Sequence, residues 1–362
     1  MNISPTSMEA ALAQRDIALQ HGPRPLPLFL NILWRETEGN EDLRQRALAG
    51  LRRYQGATRP PMPDRPVASV RSDSAILQRY GTENGRYPVI FVPSLINPPH
   101  VLDLSPARSM LRHMAAAGHD VHLVDWGVPA AVDRDLDLAG HVTDRLMPLL
   151  TTLNRPPIII GYCLGGTLAL ACAALRPVRA LVTMAAPWHF DAFAAADRDA
   201  LATLWATARP LCDRLGYLPM EVLQSAFWAL DPARTIRKYA TFADYAAGSN
   251  EEAAFLALED WANQGPPLTY AAGRDLFERL YAANASGLGQ WSVSGRIAGE
   301  LPETVPTLAI RSTADRIVPA EASPRLKEIR QLPAGHVGMV VGSRAPEILW
   351  NPLSQWLCSH GG

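Results

Sequence analysis

The chain has 362 residues, with 34 Lys+Arg against 35 Asp+Glu and a formal net charge of −1. With 48% hydrophobic and 19% charged residues it can bury a large core, which excludes disorder. The even charge balance excludes a dedicated nucleic-acid binder, whose totals would show a basic face.

In chain order, Met1–Gln20 lack the basic-then-apolar pattern of a signal peptide, so a cytoplasmic protein is expected. The apolar run Leu26–Trp34 is about half of the ~20 residues a membrane span needs and is interrupted by Pro27 and Asn31. It reads as a helix packed on the domain, with no membrane span. Residues 1–56 read as helical throughout, with Leu43, Ala47, Leu51 and Tyr54 on one face after the capping candidate Asn40. The proline-rich stretch Thr58–Pro66 breaks regular structure and serves as a linker. Val67–Arg71 and Ala75–Tyr80 read as short strands, and a Glu83-Asn84-Gly85 turn leads into the buried strand Pro88–Val92.

Helix and strand patterns then alternate: helix Ser105–Ala117, strand Val121–Asp125, helix Leu138–Leu153, strand Pro157–Ile160, helix Leu164–Leu175 and strand Arg179–Met184. Apolar strands without polar alternation, separated by helices, predict a mostly parallel sheet covered on both faces. From about Ala186 the sequence turns helical and aromatic for over a hundred residues. Trp188, Trp205, Trp228, Trp261, Phe227 and Tyr239 are expected to pack that layer. Val305–Ile310 and Glu328–Leu332 resume the sheet, and Ala345–Leu357 closes it as a helix. The expected division is residues 1–66 as N-terminal helical region and linker, 67–185 and 301–362 as the two parts of an α/β core, and 186–300 as a helical insertion. Such an insertion would cap the carboxyl ends of the strands, where open α/β sheets place their sites.

The sharpest motif is Gly161-Tyr162-Cys163-Leu164-Gly165, a G-x-nucleophile-x-G pentapeptide between strand and helix. The central residue of such an elbow sits in a strained backbone conformation, and side chains two residues away on either side would collide with strand and helix. The following helix points its N-terminus at the cysteine, an arrangement that supports a thiolate nucleophile. Cys172, inside that helix, reads as a packing residue. None of the four cysteines (Cys163, Cys172, Cys212, Cys358) forms a C-x-x-C pair, so zinc spacing is absent and no metal or cofactor is implied; a reducing compartment suits them better than disulfides.

A cysteine nucleophile needs a base, and the base an orienting acid. Of the candidate histidines, His360 lies close to the C-terminus and is expected to fray, and His189 precedes any plausible acid. His336, in the glycine-bracketed loop Pro333–Gly338, is the expected base, and Asp315, in the loop after Val305–Ile310, the expected acid; helix capping or a pairing with Arg316 is the plainer role for Asp315. For the oxyanion, one backbone donor is expected at Leu164. The other is expected in Pro93–Asn97, at Leu95 with Ile96 as the neighbouring register.

These blocks resemble the polyhydroxyalkanoate synthases, particularly the short class III type, in the α/β-hydrolase superfamily. The resemblance rests on Val92-Pro-Ser-Leu-Ile-Asn-Pro-Pro-His-Val-Leu-Asp-Leu104, Gly118–Gly127 with its Asp-Trp-Gly turn, the modified lipase box Gly161–Gly166, Leu258-Glu-Asp-Trp261, Ala314-Asp-Arg-Ile-Val-Pro319 and Gly335-His-Val-Gly338. It implies an α/β-hydrolase fold, mostly parallel sheet with a helical cap insertion and an N-terminal helical region. It also implies Cys163, Asp315 and His336 as the catalytic set, agreeing with the choice made from the residues. The implied activity is acyl transfer that polymerises hydroxyacyl-CoA through a cysteine thioester. The implied partners are hydroxyacyl-CoA, a growing polyester chain or its granule surface, and a second copy or a second synthase subunit. Hydrolysis by a thioesterase or intracellular polyester depolymerase would use the same residues with water admitted, and a granule-bound protein with vestigial residues is the non-enzymatic alternative.

Overall fold

The computed structural model describes residues 22–59, 66, 68–81 and 87–361. The Glu83-Asn84-Gly85 turn, most of the proline-rich linker and Met1–Gln20 fall outside these residues. Two compact units form: the described residues within 66–220 and 265–361 make one, and those within 22–59 and 221–264 the other.

The larger unit is built on one eight-stranded sheet. Its strands are β1 (Ala68–Ser72), β2 (Ala75–Arg79), β3 (Pro88–Val92), β4 (Asp120–Asp125), β5 (Ile158–Tyr162), β6 (Ala180–Met184), β7 (Thr307–Ser312) and β8 (Glu328–Leu332). Their spatial order is β1-β2-β4-β3-β5-β6-β7-β8. β1 and β2 are antiparallel to their neighbours, and every pairing from β4 through β8 is parallel. All residues of β3, β5 and β6 are buried, as continuous apolar runs in a doubly covered sheet demand. Because β3, β5, β7 and β8 run in the same direction, the loops leaving them open at one edge of the sheet. Those loops carry Leu95, Cys163, Asp315 and His336.

The expected helix Ser105–Ala117 is shorter than its sequence pattern. Asp103–Ser105 pairs antiparallel with Arg108–Ser109, and the helix runs only over Met110–Ala116, capped by the Ser109 hydroxyl that accepts from the Arg112 amide. Small pairs also appear where no strand was evident: Tyr217–Leu218 with Leu268–Thr269, and Ser292–Val293 with Arg296–Ile297. The closing segment runs as Pro346–Trp350 and Asn351–Gly361. Instead of fraying, His360 lies within the last helix, its ring stacked 4.1 Å from that of Trp356.

The smaller unit packs helices Leu26–Glu36, Glu41–Gly56, Pro232–Phe242 and Asn250–Ala262. As expected, Leu26–Trp34 is a packed helix: Phe29, Ile32 and Leu33 are buried, while Leu30 and Trp34 face outward. Asn40 caps the next helix, its side chain accepting from the Leu43 amide at 3.0 Å. The structure thus partitions the chain differently from the boundaries at 186 and 300. Residues 221–264 share a core with the N-terminal helices, because Trp228, Ile236, Tyr239, Phe242 and Leu256 supply the apolar face that Phe29, Leu51 and Tyr54 need. Gly50 permits the close approach: a Cβ there would lie 1.9 Å from the Tyr239 carbonyl oxygen. Beneath the rings, Glu259 accepts from Lys238 Nζ at 2.6 Å and from the Tyr239 hydroxyl at 3.0 Å. Tyr239→Phe keeps the ring and leaves Glu259, only 4% exposed, short of a donor. A loss of about 1–3 kcal/mol is expected, measurable as a lower urea midpoint at unchanged m-value.

Candidate active site

Strand β5 ends at Tyr162, and the next residue turns sharply into the helix Leu164–Leu175. Cys163 is the turn, with φ +55° and ψ −133°, a conformation an L-residue adopts only under strain. The turn is pinned where the Cys163 amide donates to the Met184 carbonyl at 2.9 Å and the Gly166 amide donates to the Cys163 carbonyl at 2.8 Å. The glycines serve close approach. A Cβ at Gly161 would lie 2.3 Å from Gly166 Cα, and one at Gly165 would lie 2.2 Å from the Val92 carbonyl oxygen. Both clashes are with backbone, which has little room to give. Gly165→Ala is therefore expected to destabilise by at least about 1–3 kcal/mol and to displace the loop after β3, seen as a lowered melting temperature.

His336 is brought to this elbow. Its Nδ1 donates to Asp315 Oδ2 at 2.6 Å, and the Cys163 sulfur lies near enough for its charge to act on the ring. With Nδ1 committed to the carboxylate, Nε2 is the nitrogen left for sulfur. Asp315 is oriented in turn, its Oδ1 accepting from the amides of Ile317 at 2.7 Å and Val318 at 3.0 Å. The turn-capping role weighed for Asp315 and the histidine contact thus coexist on its two oxygens. Burial works against the charged form of His336, but the Cys163 charge and Asp315 outweigh it and raise its pKa to about 10. In contrast, burial pushes the Cys172 thiol up to about 12, and its sulfur meets Met147 Sδ at 3.7 Å. That is the chemistry of an inert packing residue.

Several side chains that hold this arrangement carried no recognisable signal in the sequence. The Tyr162 hydroxyl donates to the His336 carbonyl at 3.1 Å, and the rings lie 5.2 Å apart. Ser312 Oγ donates to the Ala334 carbonyl, tying the end of β7 to the histidine loop. The Trp126 indole donates to the Pro93 carbonyl at 3.0 Å, anchoring the loop after β3. In that loop Ser94 Oγ takes the Ile96 amide at 3.0 Å, whereas the amides of Leu95 and Leu164 donate to no acceptor among the described residues. His189 lies elsewhere, on the loop after β6. Burial and the nearby Arg325 charge lower its pKa.

A model of the alpha/beta hydrolase fold matches residues 87–342, most of the chain. The chain belongs to the α/β-hydrolase fold family. The likeness to polyhydroxyalkanoate synthases is also borne out, with curated relatives that carry that name. The poly(3-hydroxyalkanoate) polymerase subunit PhaC of Allochromatium vinosum is 29% identical over 79% of this chain and 86% of its own length. The protein of the same name from Haloferax mediterranei is 29% identical over 75% of this chain and 59% of its own length, so this chain spans less than two thirds of that relative. Among solved structures, the monoacylglycerol lipase of Paleococcus ferrophilus superposes with a TM-score of 0.50 at 17% identity, covering 79% of this chain and 99% of the lipase. That likeness speaks to the hydrolase fold alone. No helix among the described residues is long and apolar enough to cross a membrane.

Proposed function

We propose that this α/β-hydrolase-fold protein is an acyltransferase that polymerises hydroxyacyl-CoA through a thioester on Cys163, with His336 as base and Asp315 as its orienting acid. The observation that carries it is the strained elbow cysteine whose charge acts on a histidine that is itself bonded to a buried carboxylate, in a chain whose relatives are named as poly(3-hydroxyalkanoate) polymerase subunits. In the first half-reaction the Cys163 sulfur attacks the thioester carbonyl. The carbon–sulfur bond to CoA breaks, and CoA leaves as a thiol with the proton held by His336. The oxyanion is met by the Leu164 and Leu95 amides; Ile96 is the poorer choice because Ser94 occupies its amide. In the second half-reaction the hydroxyl of another unit attacks the acyl carbon and its proton passes to His336 Nε2. The bond to Cys163 breaks, and the sulfur is ready for the next CoA thioester. No cofactor takes part beyond the CoA carried by the substrate. The insoluble product would keep the enzyme at a granule surface in the cytoplasm, with a second copy or a second subunit as partner.

Hydrolysis by the same residues, as in a thioesterase or polyester depolymerase, is the second reading, favoured by membership in a family of hydrolase fold. Incubation with 3-hydroxybutyryl-CoA separates the two when CoA and free acid are followed independently. Polymerisation releases CoA without matching free acid, whereas one free acid per CoA would establish the hydrolase.

A further inference from the structure

The histidine loop contains a carbonyl that its own backbone leaves unused. After His336 the chain turns into the short helix Gly338–Val341. The Met339 amide donates back to the Gly335 carbonyl at 2.9 Å, and the amides of Val340 and Val341 both donate to the Val337 carbonyl, at 3.0 and 3.1 Å. The His336 carbonyl between them is passed over. A buried carbonyl needs a donor, and among the described residues this one is served by a side chain of another element, the Tyr162 hydroxyl at 3.1 Å. Tyr162 ends β5 immediately before the nucleophile, and both it and His336 are buried. The pentapeptide Gly161–Gly165 leaves the identity of this position open, so the phenol is a feature of this chain and not of the motif.

The same residue also holds the imidazole. The Tyr162 and His336 rings lie 5.2 Å apart with their planes inclined by 31°, the geometry of an offset aromatic pair. From the other side Asp315 Oδ2 accepts from Nδ1 at 2.6 Å. With its carbonyl, its ring face and Nδ1 all held, the imidazole has one orientation left, and Nε2 keeps one direction. Burial, then the charges of Cys163 and Asp315, push the Tyr162 phenol well above its ordinary titration range. It therefore stays protonated and remains a donor to the carbonyl.

We propose that Tyr162 is a positioning residue for the base: its hydroxyl on the His336 carbonyl and its ring against the imidazole hold His336 in its seat beside Cys163. The role rests on acyl transfer at Cys163 with His336 as base. Without the hydroxyl the carbonyl is buried and unpaired, a cost relieved when the loop shifts towards water and carries the imidazole with it. A displacement of about 1 Å at a reacting group slows a reaction about 100-fold. The titration of His336 reports its seat. Burial lowers its pKa, and the nearby Cys163 charge and Asp315 lift it to about 10, so a ring that moves away from them titrates lower.

The test is Tyr162→Phe, which keeps the ring and removes only the hydroxyl. Two quantities are compared with wild type: CoA release from 3-hydroxybutyryl-CoA as kcat and KM, and the NMR titration of His336. The variant is expected to lose about 10- to 100-fold in kcat with KM within about twofold, and its His336 should titrate lower than in wild type. An unchanged kcat, a loss confined to KM, or a His336 that titrates as in wild type overturns the role of Tyr162 and leaves acyl transfer standing. A variant that no longer folds, read as lost circular dichroism, also overturns it and makes Tyr162 a residue of stability alone. Absence of CoA release in wild type would instead overturn acyl transfer, while the titration still decides whether Tyr162 seats His336.

Discussion

Cys163→Ala is expected to abolish CoA release from 3-hydroxybutyryl-CoA, a drop of at least about 10³-fold, because no other group can form the covalent intermediate. The fold should survive the change. Alanine tolerates φ +55° no worse than cysteine, and the contacts that shape the elbow are backbone bonds to Met184 and Gly166. A melting temperature within a few degrees of wild type would therefore accompany the loss. The buried Cys172, with its thiol pushed up to about 12, is no substitute nucleophile. Cys163→Ser refines the result, since the same elbow would hold an oxygen in place of sulfur, and any loss would report chemistry and not placement. A strong loss is expected, because an alkoxide is far harder to generate than a thiolate. Retention of more than a few per cent activity in the alanine variant would move the nucleophile elsewhere, and a fully active serine variant would point to a generic hydrolase.

Asp315→Asn should cost about 10³- to 10⁴-fold in turnover with little change in substrate affinity. The amide can still cap Ile317 and Val318 through its oxygen, so the loop keeps its form. What changes is the partner of His336 Nδ1, which loses a negative charge and can meet an N–H where a carboxylate oxygen stood. The wrong tautomer then places a proton on Nε2 towards sulfur. The same variant has a pH signature. The folded-state pKa of His336 is raised to about 10 from the ordinary 6.5. Its contribution to stability is thus fully present below about pH 6.5 and is lost as pH rises through about 10. Removing the Asp315 charge lowers the folded pKa. The stability gap between wild type and Asp315→Asn, measured by urea unfolding, should therefore be widest near pH 6.5 and shrink towards pH 10. NMR titration of His336 checks the cause directly: its pKa should fall in Asp315→Asn and also in Cys163→Ala. A gap that widens with pH would refute this account.

Much of the molecule was determined by sequence alone. The apolar runs at Val89–Val92, Ile158–Ile160 and Ala180–Met184, broken only by Thr183, bounded by turn signals and alternating with helices, read as strands covered on both faces. The glycines around Cys163 specify an elbow because any Cβ there would strike backbone. Asp315 and His336 were legible because each sits in a loop directly after a parallel strand, and parallel strands deliver such loops to one edge.

Tertiary structure alone decided the rest. The helices at 221–264 carry an amphipathic pattern that says one face is buried, but periodicity does not name the partner. The choice fell to shape, with Gly50 opening the space that the backbone of Tyr239 fills. Ser105 continues an apparent helix in sequence, yet it lies in a strand paired with Arg108. Nearby, Arg112 from the helix that follows binds the buried Asp103 carboxylate at 2.8 Å. That the Ile96 amide is taken while the Leu95 amide is not turned on one hydroxyl, that of Ser94, whose direction no local propensity encodes. Tyr162 was invisible for the same reason: a phenol's importance depends on what its oxygen meets, and only folding brings the His336 carbonyl to it.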